Sequence, residues 1–236
     1  MIPPEQVEVV DDFTAFGVHA FTTTRAVGSF GSNSAEPVNQ VMARWDALRA
    51  TVAARGVRRL ATSAQVHGTH LVVHVPDWEG WLRGPRADGH VSTTRGTAAA
   101  VTIADCVPVF LAHPSGAVAV LHSGWRGTAV RIVEQGVDAL ASRGFPAGEL
   151  RLHLGPAICG DCYEVSPDVI RQLTGASVSK PTTVDLRALI AEHARAKGVR
   201  HVSISNSCTR HHHDRFFSHR AGDSGRQVGV IFAAPL

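Results

Sequence analysis

The sequence predicts an α+β fold, a single layered domain over residues 1–236 with a mixed β-sheet and flanking helices. Three observations carry that expectation. Strand-like apolar runs outnumber amphipathic helical stretches, successive strands are often joined by short turns, and no linker, repeat or low-complexity tract divides the chain. With 44% hydrophobic residues among 236, the chain has enough apolar surface for a substantial core.

Apolar alternation at residues 7–10 and 18–21 predicts two opening strands, followed by a Gly- and Ser-rich loop at 28–34. A first helix comes next, with Ser34 as its cap, Glu36 in its first turn, Val41, Trp45, Leu48 and Val52 on one face, and Gly56 as its stop. Residues 71–75 alternate as a strand, and the apolar runs 98–103, 107–112 and 117–121 read as three more, the last two joined by a turn at 113–116. A second helix places Val130, Val133, Val137 and Leu140 on one face and ends before Gly144. After a strand at 150–154, Ser166 with Pro167 opens a short helix ending at Gly175, and Asp185 opens another ending at Gly198. Strands at 202–205 and 228–232 close the fold.

Composition narrows the function classes. Charged residues make up 18%, and 23 Lys plus Arg against 20 Asp plus Glu leave a dispersed +3, which argues against nucleic acid as a partner. The first residues lack the basic start and apolar run of a signal peptide and no apolar stretch is long enough to span a bilayer, so the expected location is cytoplasmic, with no membrane partner. Four cysteines are then expected to be thiols, ligands or catalysts rather than a disulfide framework.

Three segments put a reactive side chain where a predicted strand meets a loop: Gln65-Val-His67-Gly68, Ala104-Asp-Cys106 and His122-Ser-Gly-Trp-Arg-Gly127. Their His67, Cys106 and His122 form a plausible zinc set with a fourth position open. They stand 39 and 16 positions apart, unlike a structural zinc finger. With 14 histidines in the chain, spacing alone gives this triple little weight, and it favours a rival. Cys159 and Cys162 form a C-x2-C, and Cys208 and His211 a C-x2-H, as in structural zinc sites. A nucleobase-deaminase signature is absent, since no histidine has Glu two places on and Ile158 precedes Cys159. The turn at 123–128 leads into a predicted helix start, where unpaired N–H groups, close backbone approach at Gly124 and Gly127, and Arg126 could receive an anion; a tight turn with a solvent-facing Arg fits equally well. The tract His211-His-His213 reads as a solvated loop.

Taken together and in order, Thr22-Thr-Thr-Arg25, Gln65-Val-His-Gly68, Ala87-Asp88, Ile103-Ala-Asp-Cys106, His122-Ser-Gly-Trp-Arg-Gly127, Leu154-Gly-Pro-Ala-Ile158, Cys162-Tyr-Glu-Val165 and Cys208-Thr209 with Phe216-Phe-Ser218 resemble the YfiH-like family. That family is also called the multicopper polyphenol oxidase or laccase type and, later, purine nucleoside phosphorylase. The resemblance implies a YfiH/CNF1-like fold and zinc on His67, Cys106 and His122, with copper as the alternative metal. It further implies purine nucleosides and phosphate as partners, in phosphorolysis (including methylthioadenosine) and in deamination of adenosine. For that chemistry Asp105 is the candidate proton carrier and Arg126 the catalytic anion partner, with Arg44, Gln65 and Arg220 as candidate substrate-binding residues. The chain departs from the family pattern in a shorter loop after Arg25, in Ala43-Arg44 where Asn-Arg is usual, and in Ser218-His-Arg220 where Ser-Tyr-Arg is usual. The competing expectations are a copper-dependent polyphenol oxidase and a non-catalytic module stabilised by zinc on Cys159, Cys162, Cys208 and His211.

Overall fold

The computed structural model describes residues 1–32 and 34–236; Asn33, within the predicted 28–34 loop, lies outside the described residues. In chain order the strands are β1 (Val7–Val9), β2 (Val18–Thr23), β3 (Arg59–Ala64), β4 (Leu71–His74), β5 (Gly80–Arg86), β6 (Gly89–Ser92) and β7 (Thr97–Ile103). They continue with β8 (Val107–Ala112), β9 (Val118–Ser123), β10 (Arg151–Leu154), β11 (Glu164–Val165), β12 (Thr182–Thr183), β13 (His201–Ile204) and β14 (Gln227–Ala233). The helices are α1 (Val38–Ala53), α2 (Trp125–Ala129), α3 (Ile132–Ala141), α4 (Pro167–Thr174) and α5 (Leu186–Ala196).

The expected α+β class holds, but the strands divide between two large sheets where the sequence predicts one. The first runs β1-β2-β14-β7-β3-β5 and the second β13-β10-β8-β9-β6-β4, with β11 and β12 forming a separate pair. Both are mixed: β3 runs parallel to β5 and β7, β10 to β13 and β4 to β6, while the other pairings are antiparallel. The sheets pack face to face, and strand periodicity assigns each residue to a layer. Ala99, Val101 and Ile103 of β7 meet Phe110 and Ala112 of β8 and Val118 and Val120 of β9 between the sheets. The alternate residues Ala98 and Ala100 face outward onto Val41, Trp45, Leu48 and Val52 of α1. On the far side Val107, Val109, Leu111 and Leu121 face Val133, Val137 and Leu140 of α3 and Ile190 and Ala194 of α5. The order helix, sheet, sheet, helices explains why the central strands read as unbroken apolar runs: they are covered on both faces.

Two helix expectations need correction. α1 starts after Pro37, so Ser34 is not its cap and Glu36 is not in its first turn. The residue before a proline is disfavoured in helical conformation, and the Ser34 hydroxyl instead donates to the Gly31 carbonyl at 2.8 Å. The predicted second helix is two helices, because Arg131 adopts a left-handed φ of 58° that turns the chain between α2 and α3. Val130 is consequently 57% exposed instead of buried, and Ile132 and Val133 enter the core. β3, β5 and β6 were not expected. Thr62 and Ser63 in β3, Arg83 and Gly84 in β5, and His90 and Ser92 in β6 break their apolar pattern, and Pro85 is tolerated because β5 is an edge strand.

Candidate metal centre

The ends of the two sheets meet at a buried carboxylate. Asp88, fully buried just before β6, accepts backbone N–H bonds from Val66 at 3.1 Å, His67 at 2.9 Å and Gly68 at 2.7 Å, which folds the loop after β3 around it. Its Oδ1 also accepts from Nδ1 of His122, at the end of β9, at 2.9 Å. One side chain therefore fixes His67 by its backbone and His122 by its ring, leaving His122 Nε2 free to face a ligand. Burial pushes the Asp88 carboxyl up, but the bonds from His122, Gly68 and Val66 outweigh it and hold the group at about 2.

Cys106 arrives from the tight connection between β7 and β8, in which Asp105 adopts a φ of 78°. His67 likewise sits at φ 60°. Left-handed non-glycine residues cost about 1 kcal/mol each and persist where surrounding bonds over-determine them. Asp105 shows those bonds. Its Oδ1 accepts from the Thr209 hydroxyl at 2.6 Å, its Oδ2 from the Arg220 backbone N–H at 2.7 Å, and its carbonyl from Ile158 N–H at 3.1 Å.

The donor atoms of His67, Cys106 and His122 all lie within 4.8 Å of one another, and among the described residues no fourth His, Cys, Asp or Glu joins the group. His122 is buried, Cys106 half-buried and His67 exposed, so the group opens toward solvent on the His67 side. A Cβ at Gly124 would come within 2.8 Å of Cys106 Sγ and 3.3 Å of the His67 ring, so glycine there keeps the space beside the donors clear. Burial raises the Cys106 thiol, but the His122 charge and hydrogen bonds from both histidines bring it to about 6. Burial lowers His122, but the Cys106 charge and Asp88 lift it to about 9. A depressed thiol, two imidazoles and an outer carboxylate fit a borderline-soft divalent ion such as zinc.

The remaining sequence candidates separate. The Arg126 guanidinium lies over the Trp125 ring at 4.4 Å, and the Arg220 guanidinium over the Tyr163 ring at 4.7 Å while donating to the Glu164 carbonyl. The Tyr163 phenol is pushed up to about 12, first by burial and then by the Cys106 charge, with Asp105 adding to the rise and Arg220 and Arg126 opposing it. Tyr163 thus stands among the candidate groups, as does Asp88, and residue-type reasoning assigned neither a role. Gln65 is turned away: its amide pairs with Thr102 of β7, donating at 2.7 Å to the carbonyl and accepting at 2.7 Å from the N–H. Arg44 bonds the Ser29 carbonyl at 2.9 Å and pairs with Glu36, so the structure does not bring it into the thiol–imidazole group. The helix expected to start at the 123–128 turn is five residues long, too short for an appreciable dipole, and an anion there would rest on Arg126. Cys159, Cys162, Cys208 and His211 also converge, with donor atoms within 4.8 Å of one another, so His211 is not simply part of a solvated loop.

Fold and site together define an α/β/β/α protein with a candidate mononuclear centre of one thiolate and two imidazoles. The chain belongs to the YfiH-like family: residues 20–234 match the family described as multi-copper polyphenol oxidoreductase laccase. It is 32% identical to a purine nucleoside phosphorylase of Deinococcus radiodurans over 90% of this chain and 88% of that one. It is also 32% identical to adenosine deaminase RL5 of an unknown prokaryotic organism, over 92% and 94%. The Bacillus licheniformis hypothetical protein YfiH shares the fold, with a TM-score of 0.87 over 96% of each chain at 21% identity. No described helix is long and apolar enough to cross a membrane.

Proposed function

We propose that the protein is a zinc-dependent enzyme of purine nucleosides, cleaving them with phosphate and deaminating adenosine, with His67, Cys106 and His122 as the metal ligands. The observation that carries this reading is the three-donor group, oriented by Asp88 and open on one side. Names borne by relatives supply the substrate class. Zinc bound there supplies a Lewis acid able to make water nucleophilic at neutral pH.

The chain's own residues then divide the work. Asp88 is saturated by three backbone N–H groups and the His122 ring, so it holds and orients. Asp105 has one strong donor on each oxygen and keeps a lone pair on each, which makes it the carboxylate able to take up and return a proton. In phosphorolysis positive charge develops on the sugar as the purine leaves, so the attacking anion must be held close and oriented. Arg126 serves that role in this reading, backed by Arg220, each with its guanidinium lying over an aromatic ring. Methylthioadenosine belongs to the same substrate class.

The test is phosphate-dependent release of hypoxanthine from inosine, and phosphate-independent formation of inosine and ammonia from adenosine, by zinc-loaded protein. No release of either product sinks the reading. The family's description favours a second one, a copper polyphenol oxidase. Multicopper oxidases rely on many histidine ligands, and the three-donor group contributes two. Copper-dependent oxygen uptake with a phenol, abolished by a chelator, would establish it in place of the first.

A further inference from the structure

We infer that Cys159, Cys162, Cys208 and His211 form a second metal site, a closed structural zinc centre separate from the three-donor group. The four donors come from two chain segments that leave the neighbouring parallel strands β10 and β13. Cys159 caps and Cys162 ends a short 3-10 turn at Gly160–Cys162, and Cys208 is bridged back to Ala157. His211 Nε2 stands 3.2 Å from Cys162 Sγ and His211 Nδ1 3.8 Å from Cys159 Sγ. In a tetrahedral zinc site with ordinary bond lengths, sulfur and nitrogen ligands are separated by about 3.6 Å and two sulfurs by about 3.8 Å. One imidazole nitrogen serves one ion; with Nε2 as the ligand, its 3.2 Å separation from Cys162 Sγ lies near the first value, and one donor atom from each of the four residues falls within 4.8 Å of the others. Small side-chain adjustments close the tetrahedron.

The chemistry agrees with the geometry. Three thiolates and one imidazole complete zinc's coordination without a vacant position, the signature of a structural site. Binding releases three thiol protons to solvent and leaves the centre with one net negative charge. Arg210, whose guanidinium donates to the Cys162 carbonyl at 3.4 Å, supplies a neighbouring positive charge. No oxidation is involved.

The position gives the site a purpose. Ile158, next to Cys159, donates its N–H to the Asp105 carbonyl, and Thr209, next to Cys208, donates its hydroxyl to the Asp105 carboxylate. A metal tying these two segments together would brace the backing of the Cys106 connection without entering it.

Metal analysis of protein purified under reducing conditions tests this without an activity assay. The expected content is about two zinc equivalents per chain, falling to about one in Cys159→Ser, in His211→Ala and in Cys106→Ser, since each variant empties one site. His211→Cys, which keeps four soft donors, retains about two equivalents. Should Cys159→Ser prove insoluble, cobalt-substituted wild type decides: a three-thiolate tetrahedral site gives intense sulfur-to-cobalt charge transfer that persists in Cys106→Ser. One zinc in wild type, lost in Cys106→Ser and retained in Cys159→Ser and His211→Ala, overturns the inference. So does a disulfide between two of these cysteines in the purified protein.

Discussion

The two donor groups of this protein are built in opposite ways. His67, Cys106 and His122 sit at strand ends drawn from both sheets, far apart in sequence, and are brought into line by a fully buried carboxylate, Asp88. Cys159, Cys162, Cys208 and His211 come from two local turns leaving adjacent strands. The three-donor group is incomplete for a tetrahedral ion and opens through an exposed histidine, whereas the four-donor group is complete. An open centre needs its geometry imposed by the fold, because no fourth ligand enforces it. A closed one can rely on its own short-range spacing.

The largest difference should appear on removing one thiol from each group. Cys106→Ala is expected to lower turnover of inosine by about a thousandfold or more, since the site loses both its ligand set and its Lewis acid, while zinc on the other group is retained. Cys159→Ser should leave turnover within about tenfold of wild type while lowering the thermal midpoint. Comparable loss of turnover in both would erase the distinction.

Asp88→Asn tests the imposed geometry next. Removing an outer-shell carboxylate should weaken metal binding at the three-donor group by about 10- to 100-fold, measured by competition with a chromophoric chelator. It should also lower metal-free stability at pH 7 by about 2 kcal/mol, from the depression of the carboxyl from 3.8 to about 2. Because the folded-state value is the lower one, that contribution is fully present above 3.8 and lost as pH falls through about 2, which denaturation at a series of pH values reads directly. Arg126→Ala should raise the KM for phosphate by about tenfold with a smaller change in kcat, as expected for a charge-assisted contact to the anion. The finest distinction is in the free thiols. In metal-free protein the rate of Cys106 alkylation should rise with pH around a midpoint of about 6, because the thiolate is the reactive form and exists above its pKa. His122→Gln removes the charge that lowers it and should move the midpoint up.

How much of this was readable beforehand follows the same divide. The four-donor group shows in the sequence as C-x2-C and C-x2-H, because its geometry is local. The three-donor group has no such spacing and was singled out by the order of whole motifs. Asp88 shows only as part of the Ala87-Asp88 motif, with no role attached, since what it does is accept N–H groups from a loop about twenty positions upstream. Strands β7, β8 and β9 were legible because both faces are buried, while β3 and β5 are partly exposed and carry polar residues, and β6, though buried, is four residues long with His90 and Ser92 among them. The break at Arg131 escaped notice because periodicity cannot register a single left-handed residue of a type that seldom adopts that conformation. Arg44 looked like a substrate residue by motif, yet its bonds to Ser29 and Glu36 depend on the path of the loop before α1.

The central claim is that catalysis follows the metal on His67, Cys106 and His122. Titrating zinc into metal-free Cys159→Ser protein, while measuring bound metal and phosphate-dependent hypoxanthine release from inosine, tests it most directly. Turnover should rise in proportion to occupancy and saturate at about one equivalent, with no turnover at any zinc level in the Cys106→Ser, Cys159→Ser double variant. Turnover independent of zinc occupancy, or surviving the loss of Cys106, would contradict the account.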